Sequence, residues 1–434
     1  MSSVTPQQSA TRQVPSVARL IPNNTADGRL LDLGAHAQTH GQLPRLTGQQ
    51  VLDQVVASGL TGRGGAGFPT GSKWEAMARA RNPVVVGNGS EGEPLSSKDK
   101  VLLTTAPHLV LDGLALAALV IGADEAYLGA DEKYAPRLQQ LADQRFTSGW
   151  DSIHTKIVTT PPGFLTGQET ALVNLINGGA ALPVATPTYL KGVKGRPTMV
   201  QNVETLAHVG LIARYGAGWF RELGTASEPG TMLVSASGAL RHPGVLESSI
   251  GTPLQDIFDR AGGLIDNPRY VLLSGYHGSW LPLTRHADGS TSAEGIDFSN
   301  EALAPNRLGA GIVSVLPEHD CGLVATSQAL NYLIAQSARQ CGPCLNGLPA
   351  LAVTFADLIA IDDRSSRRKR RNAKDGWNRV LQLSALVENR GACKHPDGTV
   401  RLVRSALTVF SDDLTAHSQG TCLARQTNKH STGW

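Results

Sequence analysis

Five glycines fall within residues 62–71 (Gly62, Gly64, Gly65, Gly67 and Gly71). A loop of this composition brings main-chain N–H groups close to a ligand and tolerates positive φ. Arg63 and Lys73 stand in the same stretch, so the ligand it suits is anionic and phosphate-bearing. Phe68 and Trp74 add flat surfaces against which a ring can stack. Gly62, Gly64 and Gly67 satisfy a G-x-G-x-x-G spacing, yet Pro69 follows where a dinucleotide fold would continue a helix. Lys73 follows Ser72 rather than a glycine, which excludes a Walker phosphate loop. The residues alone leave two readings open: a phosphate or cofactor cradle, and an ordinary glycine-rich turn.

Two further loops carry acceptors. Asn88, Ser90, Glu91 and Glu93 follow the β-branched run 83–86, and Gly167, Gln168 and Glu169 open a helix. Five cysteines are an odd set in a chain with no secretion pattern, so metal or cluster ligation competes with disulfides. Cys341 and Cys344 form a C-x-x-C pair, with Cys393 later; alone, such a pair is weak evidence for a metal or cluster. Cys321 reads as a buried small apolar residue. His108, His319 and His417 have no partners at metal spacing and read as structural or exposed.

Read together, these stretches resemble the NADH-binding FMN flavoprotein subunit of respiratory complex I. That family includes the diaphorase subunits of NAD-dependent formate dehydrogenases and hydrogenases. The likeness runs through Arg63, Gly64, Gly65, Ala66, Gly67, Phe68, Pro69, Thr70, Gly71, Lys73 and Trp74. It continues at Asn88, Glu91, Glu93 and Pro94, at residues 167–172, and at Asn202 and Thr205. The resemblance implies FMN and NADH held by Gly62, Arg63, Gly64, Gly65, Gly67, Phe68, Lys73, Asn88, Ser90, Glu91, Glu93, Gly167, Gln168, Glu169, Gln201, Asn202 and Thr205. Within that set it puts Lys73 near phosphate and Phe68 along the nicotinamide, with Glu93 and Glu169 positioning NADH. No side chain serves as a catalytic acid or base, because hydride transfer belongs to the flavin.

The family also carries Cys-x-x-Cys-x-x-Cys and a distant fourth cysteine, together holding one [4Fe–4S] cluster. Cys341, Cys344 and Cys393 match, and the first family cysteine falls on Ala338. Three outcomes stay open: a [4Fe–4S] cluster with a fourth ligand, a [3Fe–4S] cluster, or no cluster. Cys422, Cys321 and His395 are the candidate fourth ligands, with Cys422 ranked ahead of Cys321. Other departures mark a divergent branch. Ser90 replaces a family Asp, and Gln168 replaces a Glu, which should raise the flavin potential. Glu75 and Ala76 stand where the family has an aromatic shortly beyond the loop lysine, and residues 185–189 replace a Pro-Pro-Phe-Pro stretch. The FMN contacts are therefore better kept than the NADH contacts.

The elements that must position these residues read as an α/β domain. Helix candidates at 47–58, 74–81, 108–121 and 135–144 alternate with strands at 83–86, 125–128 and 152–158. Residues 200–205 read as the start of a helix. The expected fold is a Rossmann-like flavin domain, then a ubiquitin-like β-grasp module of the SLBB type, then a C-terminal four-helix bundle. The divisions fall at 1–45 (a polar lead-in), 46–226, 227–318, 319–418 and 419–434. The last helix of the bundle reads as 402–417. Arg364, Arg367, Arg368, Lys369, Arg370 and Arg371 form a basic run, read as a solvated inter-helix loop or as a dock for an acidic protein.

A net charge of +3 is too small to argue for nucleic acid. The most apolar run, 109–123, is too short to span a bilayer and is broken by Asp112. The expected location is cytoplasmic, peripheral to a membrane only through partners. The expected partner is a ferredoxin-like or other iron–sulfur protein. Two alternatives remain: a flavin relay that does not use NADH, and an accessory subunit that keeps the fold without turnover.

Overall fold

A computed structural model describes residues 18–21, 32–360 and 366–424, without the side chains of 366–374. Most of the lead-in at 1–45, and Arg364 of the basic run, lie outside the described residues.

The run Val84, Val85 and Val86 is wholly buried, the pattern of a strand covered on both faces. It forms β1 (Val84–Asn88), at the centre of a parallel sheet with β2 (Ala126–Asp131), β3 (Thr155–Thr160) and β4 (Thr198–Asn202). The strand order is β3-β2-β1-β4. The chain therefore leaves β1 in one direction for β2 and later returns on its other side as β4. The crevice between the carboxyl ends of β1 and β4 is the point where the strand order reverses, the place such sheets bind ligands. Residues 200–205 do not simply open a helix as expected. Thr198–Asn202 is a strand, because it pairs with β1 from Val84↔Thr198 to Asn88↔Asn202, and tertiary pairing overrides local preference.

Helices surround this sheet: α1 (Leu33–His40), α2 (Gly48–Ser58), α3 (Thr70–Ala78), α4 (Lys98–Thr105), α5 (Pro107–Ile121), α6 (Ala135–Thr147), α7 (Glu169–Ile176) and α8 (Val203–Arg221). Thr47 and Gln50 start α2 with a reciprocal capping box, and Gly59 ends it in the left-handed region. Apolar α5 is buried between the sheet and α8, which accounts for its composition without a bilayer. Among the described residues no single helix is long and apolar enough to cross a membrane.

A second, mixed sheet has the order β6-β5-β11-β7-β8. Its strands are β5 (Thr231–Gly238), β6 (Gly244–Ser249), β7 (Tyr270–Leu273), β8 (Ser279–Pro282) and β11 (Ile312–Leu316). Helix α9 (Leu254–Arg260) packs its Leu254, Ile257 and Phe258 into the core of this sheet. The short pair β9 (Thr284–Arg285) and β10 (Thr291–Ser292) stands apart. Helices then follow: α10 (Gly322–Ala335), α11 (Leu348–Ile359), α12 (Ser366–Val387), α13 (His395–Val409) and α14 (Ser411–Ser418). The segment 402–417 is thus not one helix. The chain breaks at Phe410, whose fully buried ring packs against Tyr270 and Trp280 of the second sheet. The basic run is not an inter-helix loop either, since the backbone is helical from Ser366.

Candidate functional site

The glycine loop is pinched at its neck, where Gly62 N–H donates to Phe68 O at 2.8 Å and Thr70 N–H to Leu60 O at 2.9 Å. Between these points Gly65 takes φ +108°, a region L side chains avoid. The loop lies over the carboxyl end of β4. Loop two (Gly89 to Pro94) leaves β1 beside it, and Asn88 Nδ2 donates to Gly167 O of loop three at 2.8 Å. A Cβ on Gly92 would sit 2.2 Å from Gly163 O, so loops two and three approach as only glycine permits. Lys73 Nζ closes the ring, 3.3 Å from Glu169 Oε2 and 2.6 Å from Val200 O. Four segments far apart in sequence therefore interlock at the point of strand-order reversal.

The side chains divide sharply in what they face. Phe68 is 57% exposed on the loop. Lys73 and Glu169 are half-open to solvent. Several others turn inward. The Arg63 guanidinium is buried and donates to the carbonyls of Thr61, Pro229 and Thr231, bracing the loop on the second sheet instead of reaching the crevice. Thr205 Oγ1 accepts Arg63 N–H at 2.9 Å. Glu91 accepts the N–H groups of Asp99 and Lys100 at the start of α4. Gln168 and Asn202 cap α7 and α8 through their side-chain oxygens. Trp74, expected to offer a stacking face, is fully buried in the main core, so Phe68 is the exposed ring of this loop.

Glu93 bridges the two sheets. Its carboxylate accepts Tyr276 N–H at 3.0 Å and Leu95 N–H at 3.3 Å. Burial pushes its pKa up to about 7, against the pull of those two N–H groups. Beneath the crevice lies a buried cation. Lys98 Nζ is 2.8 Å from both Asp99 Oδ1 and Glu204 Oε2, while Asp99 Oδ2 accepts Asn202 Nδ2–H at 2.8 Å. Burial alone would lower the Lys98 ammonium, but the two carboxylates outweigh it and hold its pKa up. Lys98 and Asp99 follow loop two by a few residues in the sequence, whereas Glu204 and Asn202 reach them only through the fold. A cavity of about 500 Å³ opens on the other flank of the glycine loop, lined by Arg63, Gly65, Met232, Asn306 and Leu308 among others. It excludes loops two and three, so the convergence of residues and not this cavity marks the site.

The thiols of Cys341, Cys344 and Cys393 come together between the turn before α11 and the turn before α13. Cys344 is buried, and burial together with the neighbouring Cys341 and Cys393 pushes its thiol up to about 12. Backbone N–H groups pull these thiols down against burial: those of Ala392 and Cys344 at Cys341, that of Arg339 at Cys344, and that of His395 at Cys393. The proposed fourth ligands are engaged elsewhere. His395 sets Nε2 2.9 Å from Leu333 O and Nδ1 3.1 Å from His277 Nε2. Cys422 and Cys321 lie with His417, their ligand atoms within 4.8 Å of one another. The fold thus sets Cys422 beside Cys321 and His417, and it corrects the expectation that His417 has no partners at metal spacing.

Residues 55–211 match the model of the Nuo51 FMN-binding domain, and residues 324–417 match the NADH-ubiquinone oxidoreductase-F iron-sulfur binding region. The F 2 subunit of NADH-quinone oxidoreductase in Rhizobium meliloti (strain 1021) is 30% identical over 415 residues, covering 90% of this chain and 95% of that one. This chain belongs to the family of NADH-quinone oxidoreductase F subunits. The NADP-reducing hydrogenase subunit HndC of Solidesulfovibrio fructosivorans is also 30% identical, over 86% of this chain and 76% of its own. The fold is similar to that of an NAD+-reducing [NiFe]-hydrogenase in its H2-reduced state, with TM-score 0.73 and 28% identity. That match covers 85% of this chain and 63% of the hydrogenase chain.

As a member of that family, the chain must accommodate a flavin and a cluster, and its residues fit both. Thr70 Oγ1 at the start of α3, Ser90 Oγ on loop two and Gln201 Oε1 on β4 are buried without a hydrogen-bond partner among the described residues. Buried polar atoms left unpaired are costly, and a polar ligand in the crevice would satisfy them. Three cysteines, each with a backbone N–H that favours its thiolate, suit a cluster, whose ligands are thiolates.

Proposed function

We propose that this chain oxidises NADH at an FMN held in the crevice between β1 and β4 and passes single electrons to a cluster held by Cys341, Cys344 and Cys393. The interlocking of the three loops with Lys73 and Glu169 at the strand-order reversal carries this reading. Main-chain N–H groups of the glycine loop hold the anionic part of the cofactor, and Asn88, Ser90 and Gln201 hold its polar edges. The exposed face of Phe68 receives the nicotinamide, while Lys73, Glu93 and Glu169 orient the dinucleotide. Bound FMN supplies the conversion from a two-electron donor to a one-electron acceptor. The chain's own part is to exclude water, align the nicotinamide and fix the acceptors around the flavin.

Phe164 links the two sites. It lies just ahead of loop three, its N–H donates to Gln336 Oε1 at 3.0 Å, and its ring lies 5.5 Å from that of His395, two residues beyond Cys393. This contact supports direct packing of the flavin loops on the cluster region. The second sheet with α9 fits an SLBB-type β-grasp module, and α10 to α14 a helical bundle, with divisions near 46–226, 227–318 and 319–418. An iron–sulfur protein is the fitting electron acceptor, and a membrane complex would be reached through it.

An anaerobic visible spectrum of the purified chain before and after NADH tests this reading. Flavin bands that bleach, over a broad cluster absorbance, are expected. Flavin that stays oxidised would remove the NADH step and leave a relay, and a colourless chain after reconstitution would leave an accessory role.

A further inference from the structure

The second sulfur-rich group, made by Cys321, His417 and Cys422, lies outside the flavin crevice and outside the three-thiol set. Cys321 stands at the N-cap of α10, His417 in the last turn of α14, and Cys422 just beyond the turn that Gly420 makes at φ +83°. Their three ligand atoms all lie within 4.8 Å of one another. His417 and Cys422 are buried, with 2% and 5% exposure.

The histidine is set as a metal ligand is set. His417 Nδ1 is 2.7 Å from Ile359 O. A carbonyl can only accept, so Nδ1 carries the proton and Nε2 presents a bare lone pair. That lone pair faces Cys321 Sγ at 3.5 Å. Anchoring one ring nitrogen on a backbone carbonyl while the other faces a metal is the usual outer-shell arrangement. Around a tetrahedral Zn²⁺, with bonds of about 2.3 Å to sulfur and 2.0–2.1 Å to nitrogen, neighbouring ligand atoms stand roughly 3.5 Å apart. The observed sulfur–nitrogen spacing already has that value.

We propose that Cys321, His417 and Cys422 form a zinc site distinct from the cluster cysteines. Two thiolates and one imidazole are a borderline-soft set that suits Zn²⁺ and disfavours Mg²⁺ and Ca²⁺. Binding deprotonates both thiols, the two protons leave to solvent, and the metal stays divalent. Three protein ligands leave one tetrahedral position for water. The ion ties the turn after α14 to the start of α10, so both ends of the helical region are fastened at one point. Its role is structural, because none of the three ligands borders the flavin crevice loops.

Metal content of the intact chain, purified anaerobically after growth with zinc and iron, is the test. Wild type should carry about one zinc per chain. Cys422→Ser and His417→Ala should each lower zinc about tenfold or more, with iron and FMN unchanged. Equal zinc in wild type and both variants, or no zinc in wild type, would overturn the site. Retained FMN and iron distinguish loss of the ion from loss of the fold, and from any failure of the flavin reading. Should either variant lose its FMN, zinc-edge X-ray absorption of wild type decides. Two sulfurs at about 2.3 Å and one imidazole nitrogen at about 2.0 Å support the site, whereas a shell of sulfur alone overturns it.

Discussion

Lys73 Nζ on the helix after the glycine loop lies 3.3 Å from Glu169 Oε2 on the helix after loop three. The two residues are 96 apart in the chain, and their contact closes the ring of loops around the crevice. Both side chains are partly exposed, so the pair contributes at most about 1 kcal/mol to stability. Its value is positional.

Replacing Lys73 with Met should therefore leave the fold and FMN content nearly unchanged while weakening NADH. A drop of about 10–100-fold in kcat/KM for NADH is expected. Stopped-flow reduction of the flavin, with FMN content measured on the same sample, checks it. Loss of FMN in proportion to activity would instead make Lys73 a flavin-holding side chain.

Glu93 should make stability depend on pH. Burial raises its folded pKa from 4.5 to about 7, so between those values the folded chain binds more protons than the unfolded one. Its contribution is full below the unfolded value and is lost as pH rises through about 7. Glu93→Gln should flatten the fall in Tm between about pH 5 and about pH 8, by an effect on the order of 1 kcal/mol. Thermal unfolding of both proteins at the two pH values decides, and an unchanged slope would clear Glu93 of the effect.

Arg63 should matter more to stability than to the chemistry. Arg63→Met leaves the carbonyls of Pro229 and Thr231 without their guanidinium donor at a buried junction of the two sheets. A loss of about 3 kcal/mol is expected, seen as a Tm lower by about 5 °C. Arg63→Lys should not restore it, since one ammonium cannot span three carbonyls. A variant with wild-type Tm but impaired FMN binding would assign Arg63 to the cofactor instead.

Ala338→Cys should strengthen the cluster. It restores the family's first thiolate ahead of Cys341 and Cys344, and the other candidate ligands are engaged elsewhere. Iron retained per chain after timed exposure to air should rise over wild type. Equal iron loss in the two proteins would show that the fourth position is already filled.

Short-range chemistry was legible in the sequence. The glycine loop, the carboxylates after β1, the helix opened by Gln168 and Glu169, and the Cys341–Cys344 pair follow from residue type and spacing within a few positions, whereas Cys393 joined them only through the family resemblance. Most helices were legible too, because α2 and α5 carry their own caps and apolar faces. Strand β4 was not, since Thr198–Asn202 becomes a strand only by pairing with β1. The direction of side chains was likewise a tertiary outcome. Arg63 and Trp74 look like ligand-facing residues in a loop, but the second sheet and the core claim them because buried donors and large rings must find partners. Cys321, His417 and Cys422 carry no spacing signal at all. The break at Phe410 and the turn at Gly420 bring them together, because folding of the helical region sets their distance and chain spacing does not.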